Sequence, residues 1–332
     1  MDKLTVVDMH TGGEPLRIVT GGYPPIPAGT ILEKRAWVRD NLDHLRKILI
    51  FEPRGHYDMY GAVLVEPNLP GADLAVLFMH NEGYSTMCGH AIIALGRYAV
   101  DQGIVAAREP VTTVNIECPC GMVVASVEVT GGKAGAVSFE SVPAFLFARD
   151  WSVKLPGYGE ITFDIAYGGA FYALADCRQF GLEFGQSRVR DFVDAATALT
   201  DKLKAEFPLS HPDHSDLAFL YGTILTDGGD GSGRATKNIC VFAEAEVDRS
   251  PTGSGVTARL AAMHAKGQIA IGEFSIFESI VGSQFTGAVA RIAKAGPHDA
   301  IIARVGGRAF YSGRAEFIVE DDDVLGRGFL VR

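Results

Sequence analysis

An α+β fold of two similar halves, residues 1–150 and 151–332, is what this chain predicts. Three observations carry that expectation. At 332 residues the chain exceeds what one core comfortably fills, so two domains of about 150 residues are expected. A helix-opening pattern occurs twice. Between its two copies lie short β-branched and aromatic runs punctuated by glycine and proline.

The duplication is read from spacing. The stretch Thr86-Met87-Cys88-Gly89-His90-Ala91-Ile92-Ile93-Ala94-Leu95 lies on Ser250-Pro251-Thr252-Gly253-Ser254-Gly255-Val256-Thr257-Ala258-Arg259. Both open on a hydroxyl residue suited to an N-cap, and Pro251 suits the first helical position. Gly103 follows Cys88 by 15 residues and Gly267 follows Thr252 by the same 15, which predicts a left-handed glycine ending each helix. Upstream, Gly12-Gly13 and Gly168-Gly169 each separate two strand-like runs (4–9 from 16–19; 161–166 from 171–174) and read as tight turns. Further strands are expected at 61–65, 74–78, 122–129, 221–225 and 239–242, and one more long helix at about 188–207. One alternative has the last strand crossing back to the first half.

Composition narrows the function. A net charge of −10 argues against a nucleic-acid partner, which would call for clustered Lys and Arg. No segment approaches the roughly 18 apolar residues of a membrane span, and the first residues lack a signal-peptide core. Five cysteines in 332 residues do not make a disulfide framework, so a reducing cytoplasm is the expected compartment. Cys118 and Cys120 form a CxC without partners at zinc spacing, and no metal is expected. His211 and His214 flank Pro212-Asp213 and read as loop. Glu320-Asp321-Asp322-Asp323 reads as a solvated turn, and Gly229-Asp230-Gly231-Ser232-Gly233 as a flexible loop without a following helix.

The chemistry concentrates at the two helix starts. With Thr86 as N-cap, Cys88 falls in the first turn beside the N–H groups of Gly89 and His90. Unpaired donors and positive potential there lower a thiol's pKa and bind carboxylates. With Ser250 as N-cap, the second helix exposes the N–H groups of Gly253 and Ser254. Two such ends facing one another would clamp an amino-acid carboxylate and stabilise the charge left when its α-proton departs.

On these residues the chain resembles the proline racemase family. The resemblance rests on Met87-Cys88-Gly89-His90 and on Asp248-Arg249-Ser250-Pro251-Thr252-Gly253-Ser254-Gly255. It extends to Asp8-Met9-His10-Thr11-Gly12-Gly13-Glu14-Pro15 and Pro53-Arg54-Gly55-His56. It implies the diaminopimelate-epimerase-like fold: two pseudo-symmetric domains, each of β-strands wrapped around a central helix, with the active site in the cleft between them. It also implies chemistry without metal, pyridoxal phosphate or other cofactor. Gly89, His90, Asp248, Gly253 and Ser254 carry over as substrate-binding positions, Asp248 as partner of a cyclic amino acid's ring ammonium. Two departures stand out. Racemases and 4-hydroxyproline epimerases of the family have a cysteine at both helix starts, whereas here the second is Thr252. The substrate-contacting histidine usual in the epimerase branch is replaced by Ala235. Both departures resemble the trans-3-hydroxy-L-proline dehydratase branch.

One cysteine suffices for that reaction. In trans-3-hydroxy-L-proline the hydroxyl is trans to the carboxylate and therefore cis to the α-hydrogen. A single base on that face can take the proton and help protonate the leaving hydroxyl, giving an enamine that tautomerises to Δ1-pyrroline-2-carboxylate. The expected activity is thus a cofactor-independent hydro-lyase with Cys88 as base and Thr252 on the opposite face. Two other readings use the same residues: an epimerase or racemase of hydroxyproline or proline, and a non-catalytic amino-acid-binding protein. A homodimer is compatible with the sequence.

Overall fold

The computed structural model describes residues 2–229 and 235–331. Residues 230–233 of the glycine-rich stretch therefore lie outside the described residues. The chain divides into two compact units, Met1–Val137 with Arg308–Arg332, and Ser138–Gly307.

The first unit contains β1 (Asp2–Thr11), β2 (Glu14–Gly21), α1 (Ile31–Asn41), α2 (Asp43–Ile50), β3 (Gly61–Val65), β4 (Leu74–Met79), α3 (Gly89–Asp101), β5 (Val111–Cys118) and β6 (Gly121–Thr130). Strand β7 (Lys133–Glu140) runs across the division. The second unit holds β8 (Ala144–Leu155), β9 (Gly159–Tyr167), β10 (Phe171–Asp176), α4 (Val189–Glu206), β11 (Leu220–Thr226), β12 (Thr236–Phe242), β13 (Glu246–Asp248), α5 (Gly253–Ala265), β14 (Phe274–Glu278), β15 (Gln284–Ala295) and β16 (His298–Gly307). The chain then returns to the first unit as β17 (Ala309–Val319). Residue 150, where the sequence places the boundary between halves, lies inside β8.

Both units repeat one pairing order. In the first, β1 pairs antiparallel with β2, β2 parallel with β3, β3 antiparallel with β4, β4 parallel with β5, and β5 antiparallel with β6. In the second, β9, β10, β11, β12, β14 and β15 pair in the same alternation. Each parallel step needs a crossover, and a helix excursion lies in each. Helices α1 and α2 join β2 to β3, α4 joins β10 to β11, α3 joins β4 to β5, and α5 lies between β12 and β14. In the second unit β15 pairs with β16 and β16 with β8, so the circuit of strands closes. In the first, β17 covers the outer side of β1 along its length, from Asp2 opposite Val319 to Thr11 opposite Ala309.

Helices α3 and α5 are the most deeply set. Each is 13 residues long, and the residues from Gly253 to Met263 are all buried. Small residues allow this: a Cβ on Gly96 of α3 would lie 3.1 Å from Val137 Cγ1 and 3.3 Å from Ala125 Cβ. Helices α1 and α2 are instead only partly buried, and Val38, Leu45 and Leu49 pack with Leu4 and Val6 of β1. These two helices were not foreseen from sequence, although Thr30 and Glu33 form a capping box at the start of α1.

The glycine pairs serve different ends. Gly12 and Gly13 have φ of 61° and 91°, the torsions of a two-residue hairpin turn that matches strand twist. At Gly168 the constraint is proximity: an added Cβ would lie 2.2 Å from Ser254 O and 2.5 Å from Ala258 N, inside the backbone of α5. Removing the side chain lets the β9–β10 hairpin sit directly against the first turn of that helix.

Candidate active site

Cys88 is the N-cap of α3, with extended φ and ψ of −145° and 103°, and the first helical hydrogen bond runs from Ile92 N–H to Cys88 O at 3.0 Å. This corrects the expectation that Thr86 caps the helix. Thr86 lies outside it, and its carbonyl accepts instead from Cys120 N–H at 3.1 Å in the turn between β5 and β6. The Cys88 side chain makes no capping bond, so it does not occupy the N–H groups of the first turn.

The thiol is 5 % exposed and has an imidazole beside it: Sγ lies 3.1 Å from His90 Nδ1. His90 Nε2 lies 3.1 Å from the carbonyl oxygen of Pro15. A carbonyl only accepts, so Nε2 carries the proton, and in the neutral ring Nδ1 is the bare acceptor facing Cys88. The ring is held by an edge-on contact with Tyr60 at 5.0 Å between centroids, and Thr11 Oγ1 donates to His90 O at 2.9 Å. Tyr60 is in turn hydrogen-bonded to Ser85. Pro15 and Thr11 flank the Gly12-Gly13 turn, so the first hairpin of the fold sets the tautomer of His90. Cys118, fully buried at the end of β5, has its pKa raised, first by burial and then by the neighbouring Cys120 thiol. It is a poor nucleophile beside this pair.

In the second unit the corresponding end is built differently. Thr252 is the N-cap of α5, and its φ of 65° and ψ of 94° are unusual for a β-branched residue. This corrects the expectation of Ser250 as N-cap and Pro251 as first helical residue. The reversal at Thr252 leaves both outside the helix. Ser250 Oγ accepts from Thr252 N–H at 3.1 Å, and Asp248 Oδ1 accepts from Ser250 N–H at 2.7 Å. Ser254 shares its hydroxyl with Tyr172 Oη at 2.7 Å, and the helix ladder begins only at Val256 N–H to Thr252 O, at 2.7 Å. The N–H groups of Gly253 and Ser254 thus precede the first helical bond. Thr252 is 5 % exposed, and its hydroxyl has no hydrogen-bond partner among the described residues.

The predicted site residues therefore fall into two groups, Cys88, Gly89 and His90 at the start of α3, and Asp248, Thr252, Gly253 and Ser254 at the start of α5. Sequence reasoning missed the parts that orient them: Pro15 O, Tyr60, and the Asp248–Ser250–Thr252 chain of bonds. A cavity of about 330 Å³ in the second unit, lined among others by Asp150, Asp164, Asp176, Arg259 and Lys266, contains none of the predicted residues. Its lysine is already neutralised by Asp164 at 2.6 Å and Asp150 at 2.7 Å. Among the described residues no group of three or more His, Cys, Asp or Glu is arranged to hold a metal ion, and no helix is long and apolar enough to cross a membrane.

The fold is a mixed α/β one of the kind seen in amino-acid epimerases. A hydroxyproline epimerase from Agrobacterium vitis, solved with trans-4-hydroxy-L-proline bound, superimposes with a TM-score of 0.94 at 29 % identity, covering 100 % of this chain and 95 % of that one. The model of the proline racemase family matches residues 6–330, and the chain belongs to that family. Among curated relatives it is 58 % identical to a trans-L-3-hydroxyproline dehydratase of Xenopus tropicalis, over 99 % of this chain and 95 % of the relative. It is 56 % identical, with the same coverage, to a trans-3-hydroxy-L-proline dehydratase of Homo sapiens.

Proposed function

We propose that this chain is a hydro-lyase that converts trans-3-hydroxy-L-proline to Δ1-pyrroline-2-carboxylate and water, with Cys88 as the base. The observation that carries the reading is the inequality of the two helix starts. One presents a thiol hydrogen-bonded to an imidazole, the other a hydroxyl with no hydrogen-bond partner among the described residues. A threonine hydroxyl is far too weak an acid to ionise near neutral pH, so only one face of a substrate meets a base. The relatives at 58 % and 56 % identity, named for this dehydration, support the same reading.

In this mechanism His90 Nδ1 takes the thiol proton, leaving a thiolate at the mouth of α3. The thiolate abstracts the α-proton. The electron pair becomes the C2–C3 double bond as the C3–O bond breaks, and the hydroxyl leaves as water with a proton from Cys88 or from the His90 imidazolium. The enamine then tautomerises in solution or on the enzyme. The N–H groups of Gly253 and Ser254 bind the carboxylate, whose negative charge grows as the proton leaves, and Asp248 faces the ring ammonium. The Thr252 O–H donates a hydrogen bond to the substrate and offers no second base.

The test is incubation of purified protein with trans-3-hydroxy-L-proline in D2O without added cofactor, followed by NMR. Formation of Δ1-pyrroline-2-carboxylate, lost in Cys88→Ser, is the expected result. Inversion at the α-carbon of 4-hydroxyproline or proline, with no dehydration, would replace this reading with an epimerase.

A further inference from the structure

Among the described residues three arginines are buried and can be compared. Arg17 forms a bidentate ion pair with Asp8, donating from Nε to Oδ1 at 3.0 Å and from Nη2 to Oδ2 at 2.9 Å. Arg46 does the same with Asp43, at 2.6 Å and 3.0 Å. Arg259, only 4 % exposed on α5, has no carboxylate within ion-pair distance among the described residues. Its Nη1 donates to Asn238 Oδ1 at 3.0 Å, its Nη2 to Thr236 Oγ1 at 2.8 Å, and its guanidinium stacks on Phe277 at 4.9 Å. Burial lowers its pKa to about 10, which still leaves it cationic at neutral pH. In the duplicated alignment the first helix has Leu95 at this position, fully buried, so the fold itself does not require a cation there. Its direct partners are neutral, and the Asp227 carboxylate that offsets part of the burial acts on it from one residue further out, accepting from Thr236 Oγ1 at 2.8 Å. A buried charge balanced only at that remove is a costly way to fill space.

What it does is orient an amide. Because Asn238 Oδ1 receives the Arg259 hydrogen bond, Nδ2 points the other way and donates to Pro251 O at 3.1 Å. That carbonyl immediately precedes Thr252, the β-branched residue with φ of 65°. Such a conformation persists only where its surroundings over-determine it. Here they do: Pro251 O is held by Asn238, Thr252 N–H by Ser250 Oγ, and Thr252 O by Val256 N–H. Cys88, at the matching position of α3, has an ordinary φ of −145°. The strain and the arginine occur together at the threonine end.

We propose that Arg259 and Asn238 are a positioning pair that clamps the Pro251 carbonyl and so holds Thr252 in its left-handed conformation, with its hydroxyl and the helix N–H groups presented to substrate. The inference rests on the reading that Thr252, Gly253 and Ser254 contact substrate, and it adds the residues that keep them in place.

Asn238→Asp is the discriminating variant. A carboxylate still accepts from Arg259, now as an ion pair, but cannot donate to Pro251 O. The expected result is a KM for trans-3-hydroxy-L-proline raised about tenfold, kcat changed by less than about threefold, and Tm not lowered. Arg259→Met, which frees the Asn238 amide to turn, should raise KM by a similar factor. Glycine adopts φ near 65° without strain, so in a Thr252→Gly background Asn238→Asp should change KM by less than about twofold. An unchanged KM in Asn238→Asp overturns the inference. So does the same tenfold factor in both backgrounds, or an activity loss that merely follows Tm at constant KM. Thr252→Val tests the underlying reading separately: kinetics identical to the parent would mean that the Thr252 hydroxyl does not contact substrate, a different failure from that of the clamp.

Discussion

Cys88 and Thr252 occupy one position of a duplicated unit and differ in what surrounds the side chain. The thiol has an acceptor at 3.1 Å whose tautomer is set by Pro15 O, whereas the hydroxyl has no partner among the described residues. His90→Phe would keep the packing against Tyr60 and remove the acceptor. We expect kcat to fall by about 10²-fold with KM within about threefold of the parent, measured by steady-state kinetics. If instead only KM changes, His90 serves binding and the thiol ionises without it. The equivalence of Cys88 and Thr252 could be found by aligning the chain on itself, because side-chain identity and spacing are in the sequence, but that these two residues are themselves the caps could not. The φ of 65° at Thr252 could not, since a β-branched residue gives no sign of a left-handed backbone. Nor could the partner of His90, since a backbone carbonyl carries no sequence signature.

At the scale of elements, the glycines after both helices were legible for a clear physical reason. Gly103 and Gly267 have φ of 70° and 71°, and only glycine takes that conformation freely. The Schellman bonds of α5 are both present, from Gly267 N–H to His264 O at 3.0 Å and from Gln268 N–H to Met263 O at 2.8 Å. The sequence places the helix starts two residues early because Thr86 and Ser250 look like caps, yet the Thr86 carbonyl serves the β5–β6 turn and the Ser250 hydroxyl accepts from Thr252 N–H just before the helix. Helix α1 was missed because its buried positions, Ile31, Lys34 and Val38, include a lysine whose amine reaches Glu66 O. Packing of hairpin on helix is equally specific. Gly168→Ala should destabilise the protein by about 1–3 kcal/mol, seen as a lower urea midpoint at unchanged slope, because its Cβ would meet α5 backbone and not a movable side chain. Ion pairing between strands sets an acid limit. Hydrogen bonds from Arg291 and then Arg304 hold the Glu140 carboxyl below the usual carboxylate range. Its contribution is complete above the ordinary value of 4.5 and is lost as pH falls through the lowered one. Glu140→Gln should therefore lose less Tm than the parent on acidification below about pH 4.5, although it starts from a lower value.

For the whole molecule, the repeated turns and helix ends are signals the sequence carries locally, whereas a strand that returns from the far end of the chain leaves no local signal. The first unit is built from two distant pieces, since β17 comes after the whole of the second unit. Arg54 makes the same connection with its side chain, donating to Ile318 O at 2.6 Å and Gly326 O at 2.7 Å. The expectation from Pro53-Arg54-Gly55-His56 was family resemblance alone, and the structure gives Arg54 a joining role. The chemistry belongs to this scale too. If α-proton removal and hydroxyl departure are coupled on one face, substrate recovered part-way through reaction in D2O should hold little deuterium at the α-carbon. Extensive washing-in would mean that the carbanion returns many times before water leaves.

Strand β1 has a further consequence for synthesis. It pairs with β2 on one edge, while the other edge waits for β17, some three hundred residues later in the chain. At ribosomal speeds of about 5–20 residues per second, that is an interval of roughly 15–60 seconds during which an apolar strand edge stays open. Through that time it can recruit a neighbouring nascent chain on the same message in place of its own β17. The sequence distance between two paired strands thus becomes a period of exposure, which chaperones must cover and which slower translation lengthens.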